Sequence, residues 1–530
     1  MALLKKYLFI LLAFSLSSLT FSCSPKIPSQ NKRERVVKLN ICDEPDSLDP
    51  RKSRGLRALI IDRMIYEGLT RINSTGEPAL ALAERIDFSD DLKTYTIFLK
   101  KSLWADGNPV LSSDFIYAIK SSLRPDFPSD QAFQLFCISG AKGVKEGTLP
   151  PDALGLELVS ETCFKITLEK PLPYFTQLLA LPIFFPVNPR IDEPGYKGGL
   201  ITNGPFQIKN KVEKSTIVLE KNNRYWDAAE VKLAGIEMVM VDGNTEQLMF
   251  EKGDLDWAGS PLSTVSLEMV PELKKSGTLH VNPLLGTKFI RVNVSRGVLG
   301  NMTLRQSLAR TINRKLITEH ILQAGQLSAT GLVPPILSQN SKPYFQDADE
   351  KGAEFFQTSL QEMGLNHFSF PEITLSYYAN SGNQMMAQAI QDQWKNALGI
   401  NVKLESIEGK VYFTRVSRGD YDMALGDWVG DYSDPINFLE VFKDRKTGSN
   451  NTGWENQHYS FLLSRSSEID NPAERLLILN EGEEILINEM PIIPLFHYTM
   501  LHLQNEHLKG VYLSPLGVVD FKCAYFLEEK

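Results

Sequence analysis

Cysteine is scarce in this chain, five residues in 530. Cys23, Cys42, Cys137, Cys163 and Cys523 are widely spaced with no C-x-x-C pair, which removes zinc ribbons and dithiol redox chemistry from consideration. Histidine is nearly as rare, with seven residues. His497, His502 and His507 recur every five residues, a period that lines up on neither a helix nor a strand face. The chain has no G-x-S-x-G elbow, no H-E-x-x-H helix and no phosphate-cradling G-x-x-x-x-G-K-[ST] loop, so nothing points to a hydrolase or a nucleotide enzyme. Asp427, Asp431 and Asp434 lack the ligand rhythm of a calcium loop, and no cofactor or metal is expected. Cationic excess is missing too: 56 Lys+Arg stand against 64 Asp+Glu, which argues against a nucleic-acid partner. Long apolar runs are absent beyond the N-terminus. Residues 173–189 come nearest but contain Pro182 and Pro186, and are expected to form buried strand and loop.

What the N-terminus does contain is an export signal. Lys5 and Lys6 precede an apolar run over residues 7–19, and small Ser22 stands before Cys23. A membrane-spanning helix needs about 20 apolar residues, so this run suits a cleaved leader, residues 1–22, with lipid attached to Cys23. Leu19 lies four residues before Cys23 and Thr20 three before it, one place off the usual lipoprotein pattern, so an ordinary cleaved signal or a free Cys23 is the alternative. Residues 23–36 would be the lipidated cysteine and a polar tether with two prolines. Without the leader's 22 residues and two lysines the chain has 508 residues, 54 Lys+Arg and a net charge of −10. That length allows about three folding units. The four remaining cysteines allow three disulfide pairings, or buried free thiols, and the sequence does not choose.

From Val36 on, strand and helix signals alternate without a repeat. Thr94–Leu99 sets Tyr95, Ile97 and Leu99 on one face, Asp106-Gly107 marks a turn, and a helix should begin near Asp114 with Ser112 or Ser113 as its cap. Leu304, Leu308, Ile312 and Leu316 predict one amphipathic helix over 302–322 with Arg305 and Arg314 outward. Residues 384–398 predict another, ended by Gly399 before a strand over 401–404, and Asn471-Pro472 starts a helix reaching about 488. The mixed periods give an α/β class.

Several segments carry more than periodicity. Glu44-Pro45-Asp46-Ser47-Leu48-Asp49-Pro50 is followed by Tyr66-Glu67-Gly68-Leu69, then by the run Tyr95 to Val110 with Trp104-Ala105-Asp106-Gly107, and Asp114-Phe115. Thr202-Asn203-Gly204-Pro205-Phe206, Leu219 to Trp226 and Leu304-Arg305-Gln306-Ser307-Leu308 come next, and Trp428-Val429-Gly430-Asp431-Tyr432-Ser433-Asp434-Pro435 closes the series. In this order and spacing, over nearly the whole mature chain, the sequence resembles the oligopeptide-binding lipoproteins of peptide ABC importers, within the extracellular solute-binding protein family 5.

That resemblance implies a three-lobed solute-binding protein that closes on its ligand. Lobe I would comprise 37–56, 181–282 and 499–530, lobe II 57–180 and lobe III 283–498, with hinges near 282 and 499 and the ligand between lobes I and III. Asp431 would receive the peptide ammonium, with Trp428 and Tyr432 of the same motif at the ligand. Asp434, followed by Pro435, has a competing task as a helix cap. Arg296 stands where relatives place a lysine that neutralises the C-terminus, and Glu44 matches a pocket-facing acid. An arginine expected seven residues before Tyr432 is missing, since Leu425 stands there. The implied partners are an oligopeptide, the importer's permease and ATPase subunits, and a membrane held through the N-terminal lipid, for an extracytoplasmic monomer that is not an enzyme. Murein tripeptide or dipeptide is the alternative ligand, and nickel or haem a more distant one.

Overall fold

The computed structural model describes residues 36–527 except 74, 340, 341, 446–448 and 470. The leader, Cys23 and the tether lie outside the described residues. Eleven strands form one mixed sheet. Its spatial order runs from Val402–Ile407 through Ile373–Tyr378, Met423–Val429, Leu279–Val292, Ile492–Gln504, Trp257–Gly259, Val36–Asn40, Gly235–Val239 and Thr216–Lys221 to Phe206–Val212, with Leu327–Ser328 paired to the side. Leu279–Val292 and Ile492–Gln504, 14 and 13 residues long, are far longer than their neighbours and belong to both halves of the sheet. Their ladder breaks register between Pro283, opposite Thr499, and Thr287, opposite His497. Proline donates no ladder hydrogen bond, which suits it to such an interruption.

A separate four-stranded sheet contains Ala83–Phe88, Thr94–Leu99, Cys163–Thr167 and Leu156–Ser160. Thr94–Leu99 alternates as predicted, with Tyr95, Ile97 and Leu99 buried. Beside it the helix Ser112–Ser122 begins without a serine cap: Asp114 reaches back to the Leu111 N–H at 3.0 Å and accepts the Trp104 indole N–H at 2.9 Å. One carboxylate thus fixes both the helix start and the buried tryptophan. No helix among the described residues is long and apolar enough to cross a membrane.

Local chemistry predicted several elements well. Asn471 accepts the N–H groups of Ala473 and Glu474 ahead of the helix Pro472–Glu489, and Gly399 ends Ser381–Leu398 in the left-handed conformation. Other expectations need correction. The helix expected over 302–322 ends at Arg310, because the Asn313 side chain caps a new start at the Leu316 N–H (2.9 Å), followed by wider turns over Ile317–Leu322. Arg305 and Arg314 do not face outward; both are buried. Arg305 donates to the carbonyls of Leu299, Gly300, Glu489 and Met490, and Arg314 to those of Ile312 and Pro494 and to the Asp347 carboxylate. Residues 173–189 are mostly buried, but as short helical turns, Phe175–Leu178 and Pro182–Phe184, in place of strand. Cys42, Cys137, Cys163 and Cys523 are free thiols.

Candidate functional site

The strand Met423–Val429 pairs along its whole length with Leu279–Val292. On its other side Ile373–Tyr378 pairs with it only at Met423 and Ala424. Residues 425–429 therefore present a sheet edge with no neighbouring strand among the described residues, apart from the Tyr412 hydroxyl, which donates to the Leu425 carbonyl. Such an edge offers unused main-chain donors and acceptors to an added strand. Its end is fixed by the Gly430 N–H, which donates to the Leu285 carbonyl at 2.8 Å.

Asp431 follows immediately. Its residue surface is exposed, yet protein on several sides desolvates the carboxyl and raises its pKa above 3.8, an effect that a hydrogen bond from Gln134 opposes. The Asn437 side-chain oxygen accepts both the Trp428 indole N–H (2.9 Å) and the Asp431 backbone N–H (3.3 Å), so one amide ties the strand end to the acid. Tyr432 is buried and its ring stacks on Tyr174 at 4.6 Å and 8°. Ser433 donates its N–H to the Gln177 side chain at 2.8 Å and accepts the Gln177 N–H at 3.3 Å. Asp434 is buried; it accepts the Ile436 N–H and is gripped by Arg475. The local task expected of Asp434 is thus present, with an ion pair added to it.

Arg296 and Glu44 are placed elsewhere. Arg296 meets the Gly419 carbonyl (3.2 Å) and Asp420 (3.3 Å) at the far end of the strand pair. Six ladder steps separate Gly286↔Val429 from Val292↔Met423, about 20 Å at 3.3–3.4 Å per residue. A tripeptide spans at most about 10 Å, so Asp431 and Arg296 are not brought within reach of one tripeptide. Glu44 accepts Lys211 Nζ and the Lys214 N–H, both at 2.6 Å, and these bonds lower its pKa. It secures the hairpin Phe206–Val212/Thr216–Lys221.

Gln134, Tyr174 and Gln177, all within residues 57–180, were not singled out from the sequence. A glutamine inside the apolar run 173–189 was the available signal for Gln177; Gln134 and Tyr174 offered none. A cavity of about 850 Å³ lies at Thr330, Tyr344, Glu483 and His497, and none of residues 425–434 lines it. There Glu483 is buried and accepts the Leu332 and Val333 N–H groups (2.7 and 2.8 Å) and the Tyr344 hydroxyl (2.8 Å); burial raises its pKa to about 7. No group of three or more His, Cys, Asp or Glu among the described residues is arranged to hold a metal.

With this geometry in place, known proteins can be set beside it. The sequence model of the bacterial extracellular solute-binding proteins, family 5 (Middle), matches residues 77–450. The oligopeptide-binding protein OppA of Bacillus subtilis (strain 168) is 38% identical over 509 residues, covering 94% of this chain and 93% of that protein. The unliganded open form of the murein tripeptide-binding protein MppA superposes with a TM-score of 0.83 at 30% identity, over 94% of this chain and 98% of the other. A second structure of Escherichia coli MppA, at the same 30% identity and 94% coverage, gives 0.75 and is 99% covered.

Proposed function

The chain belongs to the bacterial extracellular solute-binding proteins, family 5, and on that premise we propose that it captures oligopeptides outside the cytoplasm and delivers them to an ABC-type peptide importer. The observation that carries this reading is the open strand edge at residues 425–429, followed by Asp431, an acid with no ion pair among the described residues. A peptide added there as a further strand bonds through its main chain, which every peptide shares, while its ammonium meets Asp431. Sequence-tolerant binding follows, because main-chain contacts do not discriminate among side chains. Trp428 and Tyr432 hold the edge and the acid in register. In this reading Cys23 carries the lipid that keeps the receptor at the membrane, and the protein acts as a monomer. Glu44 and Arg296 serve as supports away from the ligand, through Lys211 and Asp420 respectively.

Calorimetric titration with a short peptide and with its N-acetylated form tests the proposal. The free amine should bind near the micromolar range typical of capture and release, about −8 kcal/mol, and acetylation should weaken it at least tenfold. Equal binding of both forms, or of neither, overturns it. The superposition on a murein tripeptide-binding protein favours murein tripeptide as the second ligand to titrate.

A further inference from the structure

We propose that Arg291, together with Lys288, receives the C-terminal carboxylate of the bound peptide; this rests on the peptide reading above. Both residues belong to Leu279–Val292, the strand next to Met423–Val429 and on the side away from its open edge. Adjacent strands lie about 4.8 Å apart, a gap that the methylene stems of arginine and lysine can cross.

Two observations show that they do cross. Arg291 pairs with Ala424, and its Nη1 lies where a Cβ on Gly426 would come within 2.6 Å, so the guanidinium passes over the strand at the one place that lacks a side chain. Lys288 pairs with Asp427, yet its Nζ sits 5.7 Å from the ring centre of Tyr378, which belongs to the strand on the far side. Each cation therefore reaches toward the edge where a peptide would lie.

Neither cation forms an ion pair among the described residues. Arg291 has a buried Nε without a partner, a long contact from Nη2 to the Ser449 carbonyl (3.4 Å) and the Phe289 ring at 5.1 Å. Lys288 is buried, and burial lowers its pKa while Asp427 raises it. Asp427, opposite Lys288 in the ladder, is already hydrogen-bonded by the Tyr498 hydroxyl at 3.1 Å. Two cations against one acid leave a positive charge to be matched at the edge, and a peptide α-carboxylate supplies it. From Gly426 to Val429 is three steps of strand, about 10 Å, and Asp431 lies two residues beyond the strand end. A backbone of three or four residues, about 10–14 Å long, with a hydrogen bond at each end fits that span.

The experiment is calorimetric titration of tri- and tetraalanine and their C-terminal amides into the wild type, Arg291→Gln, Lys288→Met and Gly426→Ala. The wild type should prefer the free acids at least tenfold. Arg291→Gln should abolish most of that preference while keeping the penalty for N-acetylation, and Gly426→Ala, which retains both charges but displaces the guanidinium, should reduce it. Lys288→Met should reduce it less. Wild type that binds acid and amide equally, or a preference that survives both Arg291→Gln and Gly426→Ala, overturns this assignment alone. Wild type that binds no peptide overturns the peptide reading and the assignment with it.

Discussion

Asp434 and Arg475 form a two-point ion pair, Nη1 to Oδ2 at 2.6 Å and Nη2 to Oδ1 at 2.9 Å, with both side chains buried. Asp431, three residues earlier, is exposed, with Gln134 as its side-chain partner. The pair gives Asp434 a structural task, neutralising a buried arginine and holding the turn, whereas Asp431 has no ion pair among the described residues.

Replacing Asp431 by Asn should weaken peptide binding about 30-fold or more, because truncating one partner of a charge-assisted contact in a closed site costs about 2–5 kcal/mol. The melting temperature should not change, since no buried cation depends on Asp431. Unchanged affinity in calorimetry would remove Asp431 from the site.

Asp434→Asn should act oppositely, on stability first. Leaving the Arg475 charge buried without its acid costs about 3–5 kcal/mol, readable as a lowered denaturation midpoint. The double variant Asp434→Asn/Arg475→Met should recover much of that loss. A single variant as stable as wild type would show that the pair contributes little.

Gln177→Ala removes both hydrogen bonds that hold Ser433. At about 1 kcal/mol each, their loss should speed amide exchange over residues 431–434 and weaken peptide binding several-fold. Exchange rates identical to wild type would mean that the Tyr174–Tyr432 stack alone suffices.

Binding should depend on acid pH through Asp431. Desolvation raises its pKa above 3.8 in the free protein, and a bound ammonium stabilises the ionised form. Affinity is therefore full above the free-state value and is lost as pH falls through it, beginning above pH 3.8. Titrations across pH 4–7 should show this loss in wild type and not in Asp431→Asn.

Glu483 predicts the reverse trend for stability. Its folded pKa of about 7 lies above the ordinary 4.5, so its stabilising contribution is full below pH 4.5 and is lost as pH rises through 7. The difference corresponds to about 3 kcal/mol at most. Glu483→Gln can keep the contacts to Leu332, Val333 and Tyr344 without the charge, so it should melt higher than wild type at pH 8 and nearly alike at pH 5. Equal shifts at both pH values would disprove the assignment.

Elements governed by neighbours in sequence were legible: the Asn471 cap, the Gly399 stop and the alternation of Thr94–Leu99 each depend on a few adjacent residues. The burial of Arg305 was not. Its carbonyl acceptors at Glu489 and Met490 lie 184 and 185 residues away, so spacing alone placed it on the solvent face.

By itself the sequence determined the order of motifs that identifies the family and the presence of an acid at position 431, because these are properties of residue type and local spacing. Tertiary structure alone decided which charges are spent and which remain available. Glu44, Arg296 and Asp434 find ion-pair partners in remote segments, whereas Arg291 and Lys288 extend across a strand without an ion pair among the described residues. Ion pairing and desolvation act over a few ångströms in space, and the chain brings such groups together across tens to hundreds of residues.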